Sequence, residues 1–479
     1  MPGFSAHRYL GSIDVQPDQA ATCPFHSNRI QGALALAICL VVVLMQTLAP
    51  EFRRPVADSM LYAKIIATLA DQLLHDPGQF NQTLGTFFGP VYLVSVAVLA
   101  ALDADLAAAL SCVAKDGAVC DLGGLTILFA VQGIAVALTV FFCFLAIRRL
   151  AVDGWTPWLA LVVLLASKSF SNYASLILTE TAAFFFFALF GWLFARFLTD
   201  REVPWWQVAA MGVALAGAVL TRASYLYLAY FMVAVVVLWA RAGAGRSWRA
   251  AIGMGAAFAL GVAIVLGPWW LRNYVTFDLA GVSGGYGPRV MVERLAYNAM
   301  TWREWGVSFI YWLPDFGDGL ASALFQEELW KRLTWYGSDS FYMMGRGPFF
   351  QEVYAASGQH PSALGYLLRE YVWGDLAKHL AVTLSLAARG QWVGKYIGFV
   401  GFLMLPVCFW VLRRRGKALP FLVFCLPPYF MLGLYAFVSV NVTRYNVPLI
   451  AVFALSIATV LVQAARWGVA RFRRTPRTQ

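Results

Sequence analysis

Apolar runs of about 18–25 residues recur along this chain of 479 residues, each long enough to cross a hydrocarbon core of roughly 30 Å as a helix. A helix satisfies its own backbone donors and acceptors, which lipid cannot do, so repeated runs of this length dictate a bundle of membrane-spanning helices. Composition agrees: 60% of the residues are hydrophobic and only 13% charged, too few charges to cover a soluble protein of this size. The fold class expected is all-α and polytopic. It has about ten spans, at 32–49, 125–147, 155–170, 174–198, 206–221, 223–240, 250–270, 394–412, 419–440 and 446–464. The run from Phe87 to Leu102 reads as a re-entrant or interfacial helix, because counting it as a span inverts the charge balance of every later loop.

Loop charge sets the orientation. With the amino terminus inside, every short inner segment is basic, including Arg148–Arg149, Arg413–Arg415 and the tail from Arg466, and the inner side carries eighteen Lys and Arg. The other eighteen lie outside, eleven of them in one long loop where the rule has little force, leaving seven in the short outer segments. That is the positive-inside pattern. The organisation expected is a cytoplasmic segment 1–31 and a transmembrane region 32–272 interrupted by a first outer loop, 50–124. A long extracytoplasmic loop, 273–393, follows, then C-terminal spans in 394–464 and a basic cytoplasmic tail 465–479. The first thirty residues lack a cleavable signal peptide's pattern. The net charge of +11 is thereby a topology signal with an anionic-lipid component, and nucleic acid is not needed to explain it.

Within the first outer loop, Leu61, Ile65, Ile66, Leu69 and Leu73 recur at helical spacing over 58–74, the pattern of an amphipathic helix on the membrane surface. Among seven cysteines no two are spaced C-x-x-C, and no metal pattern emerges. Cys112 and Cys120 share an outer loop and either pair in an oxidising compartment or remain free thiols. The long loop is rich in Trp and Tyr, which suits the headgroup zone and also stacking on sugar faces.

The residues with chemical potential sit at the outer span ends. Asp58 opens the surface helix, where a plain helix-capping role is the competing reading. Glu180 lies near the outer end of the apolar segment 174–198, where a charge costs a few kcal/mol on insertion scales, so it should face a polar cavity or a basic partner. Arg222, Arg272 and Arg444 close the set. One such arginine is a snorkelling anchor; three at one face make an anion site, since guanidinium forks bind phosphate oxygens in pairs.

In order and sidedness these pieces match a pattern. It runs Asp58-x-x-x-Tyr62-Ala63 and Gly89-Pro90-Val91-Tyr92, then Leu178-Thr179-Glu180 and Leu220-Thr221-Arg222. It continues with Pro268-Trp269-Trp270-Leu271-Arg272-Asn273-Tyr274 and ends with Arg444-Tyr445 before Pro448. The chain resembles the GT-C superfamily of integral-membrane glycosyltransferases, in the branch of the protein O-mannosyltransferases and lipid A aminoarabinose transferases. It departs from that pattern where Ser59, rather than a second acid, follows Asp58, and where no lysine precedes Gly89-Pro90.

The resemblance implies transfer of a sugar from a polyprenyl-phosphate donor to a glycan, lipid or protein acceptor outside the cytoplasm, with inversion, at a bacterial inner membrane with both termini cytoplasmic. It implies catalytic roles for Asp58 and Glu180, donor-phosphate binding by Arg272, Arg444 and Arg222, and substrate contacts from Tyr62, Tyr274 and Tyr445. The lipid-linked sugar is then a substrate; no cofactor or metal is called for by any motif, and a divalent ion is left open by the altered first loop. The alternatives are a lipid-carrier transporter or flippase, which calls for charges at mid-membrane and paired repeats, and a non-catalytic scaffold of an envelope glycan assembly.

Overall fold

A computed structural model describes residues 28–49, 57–116, 120, 122–360 and 362–474. The polar amino-terminal segment through residue 27, Arg53, Arg54 and the last five residues lie outside the described set. Twenty-two α-helices, joined by short 3₁₀ and π turns, make up the described chain.

The first half begins with α1 (Asn28–Leu48), α2 (Ala57–His75), α3 (Phe80–Leu84), α4 (Pro90–Leu102) and α5 (Ala104–Asp116). It continues with α6 (Thr126–Leu150), α7 (Thr156–Ser167), α8 (Ser171–Ala174) and α9 (Glu180–Thr199), then α10 (Trp205–Thr221), α11 (Tyr225–Leu238) and α12 (Trp248–Phe277). The long loop folds as α13 (Tyr286–Leu295), α14 (Trp302–Tyr311), α15 (Gly317–Leu324), α16 (Phe341–Met344), α17 (Pro348–Gly358), α18 (Ala363–Leu367) and α19 (Leu376–Gly390). The bundle closes with α20 (Tyr396–Arg414), α21 (Ala418–Val438) and α22 (Leu449–Arg474).

Among the described residues eight helical segments are long and apolar enough to cross a membrane: 29–48, 122–150, 180–199, 225–243, 248–277, 396–414, 418–438 and 449–470. Two further expected spans come out short. The 155–170 run holds the 12-residue α7, and the 206–221 run falls within the 17-residue α10, which starts at Trp205. The helix of the 174–198 run starts only at Glu180, because the chain folds through α8 and a turn first. α4 has 13 residues, below the ~20 that a straight crossing takes.

α10 is held by backbone proximity. It packs on α9 and α12, and at the α10–α12 crossing a Cβ on Gly212 would strike the carbonyl oxygen of Phe258, and one on Gly261 that of Ala209. Small residues let helices approach closely where lipid supplies no hydrophobic driving force between them. Gly89 meets the carbonyl oxygen of Leu220 in the same way, so the Gly89-Pro90 entry seats α4 on the end of α10, next to Arg222.

α2 carries the expected amphipathic pattern, but its buried face is Ser59, Ala63, Ile66, Leu69 and Ala70, while Leu61 is left exposed. The helix packs on α4 and α5, and those protein neighbours select the small residues. Cys112 and Cys120 form a disulfide with 5.9 Å between their Cα atoms. α12 runs past the expected boundary at Arg272 to Phe277, with Pro268 inside it and Asp278 in the left-handed conformation ending it.

The segment between α12 and α20 has two apolar cores, one around Tyr297, Trp312, Phe341 and Leu386 and one around Met291, Leu295, Val353 and Leu367. It is pinned to α21 by a buried polar knot. Arg294 donates to the carbonyl oxygens of Ala436 (2.7 Å) and His379 (3.1 Å), to Thr383 Oγ1 (3.1 Å) and to Asn298 Oδ1 (3.0 Å). His379 donates from Nε2 to the Phe437 carbonyl at 3.0 Å and accepts at Nδ1 from the Asn298 amide at 3.1 Å. At the opposite end of the bundle Arg149 pairs with Asp200 (2.7 Å) and Arg466 with Asp153 (3.7 Å).

Two measurements test this architecture. Gly261→Ala should cost about 1–3 kcal/mol through overpacking, read as a lower unfolding midpoint in detergent. Gly253→Ala, which opens on free space, should be neutral or slightly stabilising. Burial and the Arg294 charge push the His379 pKa down to about 4, so between pH 6.5 and 4 the unfolded chain takes up the proton that the folded one refuses. Stability should therefore fall on going from pH 7 to pH 5, by about 2 kcal/mol from this group, and His379→Gln should flatten that slope.

Candidate functional site

Four charged side chains from four separate segments meet at one end of the bundle. Glu180 is the first residue of α9, Arg222 follows the last turn of α10, Arg444 sits on the 3₁₀ turn Thr443–Asn446 before α22, and Asp58 lies in the first turn of α2. Arg222 Nη1 is 2.8 Å from Glu180 Oε1, and Arg444 Nε is 3.4 Å from the same oxygen. Arg444 Nη2 donates to Asp58 Oδ2 at 2.7 Å, across 386 positions of sequence. The side chains grade outward: Glu180 is 3% exposed, Arg222 16%, Arg444 27% and Asp58 52%. The buried carboxylate thus holds two guanidiniums, and one of these holds a second, half-exposed carboxylate.

Aromatic rings frame the charges. The guanidinium of Arg222 lies 4.6 Å from the Tyr445 ring centroid and that of Arg444 5.4 Å from it. Tyr445 packs on Tyr435 at 4.9 Å, and the Tyr435 hydroxyl hydrogen-bonds Ser224 at 2.8 Å. Tyr62, one turn beyond Asp58, packs against Phe88 and Tyr92. Burial, reinforced by the charge of Glu180, pushes the Tyr62 phenol up to about 12, so it is a hydrogen-bond donor and not a base at neutral pH. Burial lowers the pKa of Arg444, but Tyr445, Glu180 and the Asp58 hydrogen bond raise it by more. Its cationic form is secure.

Arg272 and Tyr274 are placed differently. Arg272 donates from Nη1 to the Gly85 carbonyl (2.6 Å) and Asn273 Oδ1 (2.8 Å), and from Nη2 to the Asn81 carbonyl (2.5 Å). Its guanidinium is stacked between Trp269 (4.4 Å) and Phe277 (4.7 Å). It ties the end of α12 to the loop around α3, and among the described residues none of these contacts is with the acid–arginine cluster. Tyr274 is half exposed and stacks on Trp270.

Sequence reasoning did not single out Tyr173, Tyr286 or Tyr435. Burial raises the Tyr173 pKa, Glu180 adds to it, and Arg444 and Arg222 oppose it, which sets this phenol beside the cluster. Tyr286, from the start of α13, is raised by burial and by Tyr445, against Arg222. Neither lies in a motif with a spacing that could have flagged it. Among the described residues no group of three or more His, Cys, Asp or Glu side chains is gathered as a metal would require.

No known protein family and no curated protein matches the sequence. Seven solved chains match in structure. One is ArnT from Cupriavidus metallidurans bound to undecaprenyl phosphate, at 16% identity and a TM-score of 0.37 over 93% of this chain and 80% of that one.

The cluster makes a stability prediction independent of any activity. Glu180→Leu takes the shared anion from the part-buried Arg222 and Arg444 and should destabilise the protein by roughly 3 kcal/mol, the low end for a broken buried pair. The double variant Glu180→Leu, Arg222→Met should recover a large part of that loss. A thermodynamic cycle from unfolding in mixed detergent measures the coupling.

Proposed function

We propose that the protein is a membrane glycosyltransferase that moves a sugar from a polyprenyl-phosphate donor to an acceptor on the non-cytoplasmic side, with inversion. The observation that carries this reading is Arg444 bridging the exposed carboxylate of Asp58 and the buried carboxylate of Glu180 at the end of the bundle. An orphan pair of opposite charges would only be an anchor. Two arginines held by one deep acid beneath a second, accessible acid form a graded site for a substrate with an anionic part and a hydroxyl part.

The chemistry suits that arrangement. A glycosidase protonates its leaving alkoxide and therefore needs a second carboxyl group as an acid. A polyprenyl phosphate departs as a stable anion and needs its developing charge matched instead. In the proposed step the acceptor oxygen forms its bond to the anomeric carbon as the bond from that carbon to the phosphate oxygen breaks. The bonding pair leaves with the phosphate, where Arg444 and Arg222 stabilise it. Asp58 takes the acceptor's proton as general base or orients its hydroxyl. Single displacement inverts the configuration. Glu180, ion-paired with both arginines and nearly inaccessible, is assigned to positioning them rather than to acid catalysis. Tyr62 and Tyr445 supply donors and ring faces beside the reacting groups.

Donor binding by Arg272 is kept as a weaker part of the reading, since its donors are committed to Asn81, Gly85 and Asn273; it supports the loop that leads into α4. A transporter reading gains nothing from the geometry, because the charges gather at one end of the bundle.

Purified protein should transfer radiolabelled sugar from a synthetic polyprenyl-phosphate donor. Asp58→Asn should lose turnover by at least a hundredfold while still binding donor, and near-normal turnover removes Asp58 from the reaction. Arg444→Ala should weaken donor binding at least tenfold; unchanged affinity removes the clamp.

A further inference from the structure

Beside the acid–arginine cluster, between the outer helices and the ends of α7 and α22, lies a cavity of about 630 Å³, the size of a small-molecule site. It adjoins the cluster through two lining residues, Thr443, the neighbour of Arg444, and Tyr173, whose phenol feels Glu180 and Arg444. Trp312, Trp335, Tyr311 and Trp392 give it aromatic walls. Such walls stack on the apolar faces of sugar rings.

The charge on its wall is unusual. Arg389 lines the cavity, is 5% exposed, and has no carboxylate within ion-pair distance among the described residues. It donates to the Val440 carbonyl and, at 3.4 Å, to the Tyr297 hydroxyl, while its Nε finds no acceptor. Its guanidinium is caged by Trp335 (4.4 Å), Trp312 (4.5 Å) and Tyr297 (5.2 Å). The Oγ of Ser169, which also lines the cavity and is 5% exposed, is likewise without a partner. Native proteins leave few buried polar atoms unsatisfied, and a buried cation lacking an anion is the costlier kind.

Three other charges line the cavity. Lys395 is paired with Asp315 at 2.9 Å, and Asp318 accepts from the Gly319 amide at 2.8 Å. These three sum to one net negative charge, whereas the charge buried in the wall, Arg389, is positive.

We propose that this cavity is a subsite for an acidic sugar, with the ring against Trp335 and Trp312 and its anionic group on Arg389 and Ser169. The proposal rests on the glycosyltransferase reading only for the further step that the sugar belongs to the acceptor. The acid anchors the acceptor; the reacting hydroxyl points back toward Asp58. The shared chemistry is a pyranose carrying a carboxylate or a phosphate.

The test is calorimetric titration of full-length protein in nanodiscs with methyl glucuronide, glucose 6-phosphate and methyl glucoside. At least one acidic probe should bind tenfold or more tighter than the neutral one, and the stronger arm identifies carboxylate or phosphate as the anchored group. Arg389→Gln should erase the preference while Asp58→Asn leaves it intact. Should Arg389→Gln fail to fold, Asn172→Trp, which fills the mouth of the cavity from an exposed position, must weaken the acidic probe equally. Equal binding of all three probes, no binding of any, or an intact preference in both cavity variants overturns the subsite. Sugar transfer without acidic binding would overturn this inference and leave the glycosyltransferase reading standing; acidic binding without transfer would do the reverse.

Discussion

A carboxylate at the start of an apolar helix can remain charged only if something basic meets it, and the tertiary arrangement around Glu180 follows from that demand. Arg222 is brought by the end of α10 and Arg444 by the turn before α22, both onto the same oxygen. Each arginine is equally dependent, since a guanidinium out of water needs an anion or a full set of acceptors. Three segments are registered against one another at this oxygen, and Arg444 adds the fourth through Asp58. Such a set is often replaceable by apolar side chains at little cost in stability. Its value lies in where it holds Arg444, and through Arg444 the exposed Asp58.

The scaffold makes that registration possible by bringing backbones close. Gly212 and Gly261 let α10 and α12 touch, and Gly89 lets α4 rest on the end of α10 beside Arg222. The α13–α19 segment is then tied down by neutral acceptors. Arg294 is satisfied by two carbonyls, a hydroxyl and an amide oxygen, with His379 and Asn298 closing the knot. Arg272 is treated the same way by Gly85, Asn81 and Asn273. Against these saturated arginines the partly unsatisfied Arg389 and the acid-bound Arg222 and Arg444 stand out. Among the described residues, Arg294 and Arg272 are held by neutral acceptors, Arg222 and Arg444 by carboxylates, and Arg389 faces a cavity.

What the chain alone determined was the membrane body and the identity of the polar groups that do not belong in it. Runs of apolar residues have one stable form in lipid, so α1, α6, α9, α11, α12 and α20–α22 were legible from length. Glu180 was legible as a residue in need of a partner, because its cost does not depend on what surrounds it. Asp58, Arg222 and Arg444 were legible as groups at span ends. Their pairing was not, since residues 58 and 444 meet only after all the intervening spans have packed. Arg272 shows the same limit from the other side. Its place in the most distinctive sequence string marked it for phosphate, whereas the fold surrounds it with Asn81 and Gly85, whose position depends on how α3 turns. Periodicity on α2 gave a helix but not its buried face, which the small residues facing α4 and α5 decided. The cavity beside α19, and the Arg389 charge on its wall without a carboxylate partner among the described residues, belong to tertiary structure alone. Hydropathy records what a residue costs in lipid or water, and only the packed chain settles which other residues share that cost.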